Sequence, residues 1–165
     1  MGQPGDRTFY LQASDDSGRT VSVALEKTQV QVLADRMNEL LDEIAGRASA
    51  VIPPDADVDD LEPLTAPVDE EFRVAAMGLA WDGNTEAVVV EAVAATDEPI
   101  DEDAILSDSD EGPDALRVTI TPAAARAFVA RARRVIAAGR PPCPLCALPL
   151  DPAGHVCPRQ NGYRR

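Results

Sequence analysis

The chain has 165 residues, of which 45% are apolar but only 4% aromatic, and it carries a formal net charge of −14. That length suits one ordinary domain with a small appendage and leaves little room for two full domains. No apolar run approaches a membrane span, no secretory leader pattern is visible, and Asp6 stands where a myristoylation signal needs Ser or Thr.

A cytoplasmic location is therefore expected, a compartment in which clustered cysteines read as a metal or redox site before a disulfide frame. Charge is unevenly distributed. Residues 113–165 hold nine arginines against two acids, leaving six basic and 27 acidic residues in 1–112. The chain is an acidic body with a basic end. One reading makes the acids a solubilising surface and the arginines solvated or internally paired; the other gives the basic end an anionic partner. General nucleic-acid binding is disfavoured, because so acidic a body repels a polyanion outside any local patch.

In chain order, residues 8–13 (TFYLQA) and 19–25 (RTVSVAL) are rich in β-branched and aromatic side chains and are separated by SDDSG, which predicts a hairpin. Val30, Leu33, Met37, Leu40, Leu41 and Ile44 then recur at helical spacing, with Gly46 as the expected stop. Residues 47–71 interleave four prolines with acids, so an extended acidic loop is expected. Residues 72–81 and 86–95 predict two strands around Asp82-Gly83-Asn84, and their near-continuous apolar character suggests cover on both faces. Asp82 is read as a turn former, and most other carboxylates as solvated loop charge.

A second acidic loop, 97–114, leads to a strand at 116–120. Thr121-Pro122 marks a helix start, a hydroxyl N-cap followed by proline where its missing N–H costs nothing. Ala125, Phe128, Val129, Ala132, Val135 and Ile136 form one apolar face, with Arg126, Arg131, Arg133 and Arg134 expected away from it. The strand-to-helix units at 21–36 and 116–131 echo one another at a constant offset of 95 residues. Duplication or shared patterning both account for this. The element order predicts an α+β fold: an antiparallel sheet of about five strands with two helices on one face, plus a C-terminal zinc knuckle. The expected division is an α+β body at 1–140 and a zinc-knuckle tail at 141–165.

All three cysteines and the only histidine lie in that tail, as Cys143-Pro-Leu-Cys146 and, after eight intervening residues, His155-Val-Cys157. Cysteines two residues apart can turn onto one ion, and Gly154 allows the chain to fold back, so Cys143, Cys146, His155 and Cys157 are a complete Cys3His set for structural Zn2+, of the kind found in zinc ribbons. Four protein ligands leave no open position for water, which points away from a zinc hydrolase. No Ser-His-Asp set, phosphate loop or dinucleotide glycine fingerprint is present. The alternative for the cysteines is a thiol switch at Cys143 and Cys146. Arg159, Tyr163, Arg164 and Arg165, with Arg126 and Arg133 on the helix, are candidate contacts for an anion or partner.

The segment 139–164, with its CPLC and GHVCPRQNGYR motifs, together with FYLQA at 9–13 and MGLAW at 77–81, resembles a family of small actinobacterial proteins known as domain of unknown function 3090. The resemblance spans nearly the whole chain and implies no established activity. It implies only an association with genes for phosphoryl chemistry. The reading that follows is a non-enzymatic interaction or accessory module that uses its basic C-terminal end to dock a protein partner, with no membrane role. Two others fit the same residues: an enzyme or binder of a phosphorylated or anionic small molecule, and the thiol switch.

Overall fold

The structure is a computed structural model that describes residues 8–47, 52–53, 61–96, 105–106, 112–138, 143–146, 150, 157 and 159. Seven elements follow in chain order: β1 (Phe9–Ser14), β2 (Thr20–Leu25), α1 (Lys27–Arg47), β3 (Glu70–Asp82), β4 (Ala87–Ala94), β5 (Ala115–Ile120) and α2 (Pro122–Ala137). The strands form one sheet in the order β1-β2-β3-β4-β5. Three of the four strand pairs are antiparallel as expected, but β2 and β3 run parallel. The reason is connectivity. The chain leaves β2, crosses through α1 and enters β3 in the same direction, and a helical crossover is what joins parallel neighbours.

Both tight turns form where carboxylates can tie down backbone N–H groups. Asp15 Oδ1 accepts from the Ser17 hydroxyl at 2.6 Å and from the amides of Ser17 and Arg19, and Gly18 takes φ +85°, a value that costs glycine little. Asp82 accepts from Asn84 N–H at 2.9 Å and from the Thr85 hydroxyl at 2.7 Å, the turn-forming role expected of it. These bonds stabilise the ionised form, so both carboxyls titrate below the usual range, through Ser17 and then Arg19 for Asp15 and through Thr85 and then Asn84 for Asp82. A carboxyl depressed in the folded state contributes stability above its unfolded pKa, near 3.9, and that contribution is lost as pH falls through the folded value. The double variant Asp15→Asn, Asp82→Asn is therefore expected to show a flatter fall of Tm from about pH 5 downward. Parallel wild-type and variant profiles would contradict it.

Helix α1 opens on a side-chain cap that also reaches the sheet. The Gln29 side chain accepts from Glu26 N–H at 2.8 Å and donates to the Val74 carbonyl at 3.0 Å, at the place where the β3–β4 register shifts. The helix runs through Gly46 to Arg47, so Gly46 is not the stop expected of it. In α2 the Thr121 hydroxyl accepts from Ala124 N–H and Pro122 occupies the first turn, as the sequence predicts.

Leu33, Met37 and Leu41 of α1 meet Ala125 and Val129 of α2 over Val88 and Val90 of β4, which places both helices on one face of the sheet. The opposite face is covered in part, as the apolar run in β4 suggests: among the described residues Ile105 and Leu106 of the second acidic loop lie over Gly78 and Glu91. Gly78, Glu91 and Arg117 lie side by side across β3, β4 and β5. Arg117 donates through Nε and Nη2 to Glu91 Oε2, each at 2.7 Å, and Leu106 N–H donates to the same oxygen at 3.1 Å. Over Gly78, a Cβ would stand 2.5 Å from Ile105 Cγ2 and 2.8 Å from Leu106 Cγ, so only glycine leaves room for these two side chains. Gly78→Val is expected to unseat Ile105 and Leu106 and to cost about 1–3 kcal/mol through overpacking. Hydrogen exchange at the Leu106 amide reads it: protection there should fall, and unchanged protection would contradict the prediction.

Candidate metal centre

Beyond α2, the described residues of the tail are few but chemically concentrated. Residues 144–146 form a turn that carries the chain from Cys143 to Cys146. Cys143 and Cys157 are buried, at 6% and 3% exposure, and Cys146 is half-buried. The three sulfur atoms all lie within 4.8 Å of one another, with Cys143 Sγ 3.9 Å from Cys157 Sγ.

That separation has a chemical reading. A disulfide needs about 2.05 Å between sulfurs. Two thiolates sharing a tetrahedral Zn2+, each about 2.3 Å from the ion, stand roughly 3.8 Å apart. At 3.9 Å the Cys143–Cys157 contact is a thiol–thiol hydrogen bond whose length also suits two ligands of one metal ion, and no disulfide joins the three cysteines. The knuckle backbone also favours thiolate: the amides of Leu145 and Cys146 point at Cys143 Sγ and, with the neighbouring Cys146 and Cys157 side chains, bring its pKa down to about 6. A thiol already inclined to lose its proton suits a metal ligand, since coordination requires the deprotonated form.

A family profile, described as "Protein of unknown function (DUF3090)", matches residues 1–157, the sheet, both helices and all three cysteines. The chain belongs to the DUF3090 family. No curated protein and no solved structure matches it. Among the described residues no helix is long and apolar enough to cross a membrane.

Of the residues singled out in the sequence, the structure brings Cys143, Cys146 and Cys157 together, while His155 lies outside the described residues, as do Tyr163, Arg164 and Arg165. Arg159 is exposed. Arg133 is half-exposed and stands 3.8 Å from Asp35, too long for a strong pair. Arg126 requires a correction. Expected on the solvent side of α2, it is 3% exposed and donates to Asn38, Asp42 and the Pro53 carbonyl, so its guanidinium is committed inside the fold. A signal was present, since Arg126 sits three residues before Val129 and therefore on the buried stripe. Glu91, an acid inside the run AVVVEAVA, likewise pointed to a buried charge in need of a partner.

Proposed function

We propose that Cys143, Cys146 and Cys157, with His155 as fourth ligand, hold one structural zinc ion, and that the protein acts as a non-enzymatic module whose metal-ordered, arginine-rich C-terminal end docks a protein partner. The observation that carries this reading is the convergence of three sulfur ligands within 4.8 Å, two of them buried. A closed set of four protein ligands leaves the ion no site for water, which suits it to hold a short segment in shape rather than to activate a substrate. The charge distribution supports the docking role. Arginines gathered at one end of an otherwise acidic chain favour an acidic protein surface over nucleic acid.

Co-purification with the full chain and with a chain lacking residues 141–165 tests the docking role. Partners captured by the first and lost by the second are expected. The same partners on both would overturn it. Zinc content tests the metal separately: chelator-free protein should carry one ion per chain. Protein without metal in which Cys143 and Cys146 oxidise reversibly would make the thiol switch the better reading.

A further inference from the structure

The two strands at opposite ends of the sheet order, β1 and β5, line the same two cavities. The sheet thus curls until its edges face each other across a cleft, and Leu11 of β1 and Leu116 of β5 pack on one cluster of Val23, Val74 and Ala92. The inner cavity, about 540 Å³, reaches down to core residues Leu33, Met37 and Val90, with Leu11, Val118 and Phe128 as further apolar lining. The outer cavity, about 480 Å³, adjoins it through shared residues Ala13, Asp15 and Arg117, and is polar, with Arg19, Glu71 and Asp114 around it. An apolar depth with a few polar groups at its mouth, at several hundred cubic ångströms, is the form that small-molecule sites take.

Charge decides which head group fits. Asp15, Asp16, Glu71 and Asp114 line the cleft against two guanidinium groups, Arg19 and Arg117. Arg117 directs Nε and Nη2 at the buried Glu91 carboxylate, which neutralises it. What remains is Arg19 among four carboxylates, a net acidic rim on an acidic body and a field that concentrates cations. We propose that the cleft between β1 and β5 binds a small amphipathic cation, its hydrocarbon body in the inner cavity and its ammonium group beside Glu71 and Asp114. The site is independent of the cysteine cluster and of the docking role.

The test uses the full chain and N-phenyl-1-naphthylamine, a neutral apolar dye whose fluorescence rises on leaving water. Dodecylamine, kept below its micelle-forming concentration, is expected to displace the dye at roughly tenfold lower concentration than dodecanoate, a preference of one charge-complementary site. Ala124→Phe places bulk in the inner cavity from an exposed position before the first full turn of α2, and should abolish dye binding with Tm unchanged. Should that variant fail to fold, Ala13→Trp on β1 obstructs the shared wall of both cavities in its place. The exposed pair Glu71→Gln, Asp114→Asn should keep dye binding and lose the tenfold preference. Failure of the folded wild type to bind dye, equal displacement by amine and carboxylate, or undiminished binding by the cavity-filling variant would each overturn the proposal.

Discussion

Replacing Cys143 by serine is expected to lower zinc affinity at least 100-fold and to leave the α+β body folded. The affinity estimate is a floor: loss of a group that merely orients a ligand costs about 10–100-fold, and here a ligand itself is removed. Cys143 is also the sulfur that the Leu145 and Cys146 amides prepare as thiolate, so serine loses both the soft donor and the use of those two N–H groups. Cys146→Ser and Cys157→Ser should behave alike, because the three sulfurs form one cluster. His155→Ala then reports whether the imidazole completes the sphere. The body should be indifferent to all four changes, since neither hydrophobic cluster that builds it contains a cysteine. Zinc per chain by elemental analysis, set beside the Tm of the main unfolding transition, checks both halves. A Cys143→Ser protein that keeps a full equivalent of zinc would place the ion elsewhere.

What the sequence made legible is what short-range chemistry controls. The turns at Asp15 and Asp82, the Thr121-Pro122 helix start and the α+β element order all rest on residues within a few positions of each other, and the structure has them as read. The cysteine spacing belongs to the same class. The parallel β2–β3 pairing was less legible, because strand direction depends on how far a crossover carries the chain and not on the alternation within either strand. The constant 95-residue offset survives as β2–α1 and β5–α2, beginning at Thr20 and Ala115. Each unit also has an upstream strand whose polar side chain holds a distant loop: Gln12 exchanges two hydrogen bonds with the backbone of Thr65, and Glu91 accepts from Leu106. Such long-range pairs carry no local signature. A buried polar residue announces only that it requires a partner; that Glu91 takes Arg117 and that Arg126 takes Asn38 and Asp42 is decided by the packing of distant elements.

Arg126 makes the most demanding of these contacts, and its removal should cost the body about as much as truncating a core side chain. Its Nη1 donates to Asn38 at 2.6 Å, its Nη2 to Asp42 and its Nε to the Pro53 carbonyl at 3.1 Å. Asn38 and Asp42 are one helical turn apart on α1, bonded to each other at 3.0 Å, and so present two oxygens at the spacing a guanidinium fork can bridge. One buried arginine thus ties α2 to α1 and to the segment after α1. Arg126→Ala is expected to cost about 3 kcal/mol, from three lost hydrogen bonds and an unfilled space. Arg126→Met should cost less, because it refills the space and because Asp42, with its side chain 59% exposed, can be rehydrated. Arg126→Lys should fall between them, keeping the charge without the fork. For the same reason Asp42→Asn should be mild, at about 1 kcal/mol or less. Urea unfolding of the four variants gives the order, and a loss under about 0.5 kcal/mol for Arg126→Ala would show that the clamp is incidental. Zinc content should stay at the wild-type value throughout, because the clamp and the cysteine cluster share no residue; a drop in zinc alongside the drop in stability would mean that the metal site depends on how α2 is held.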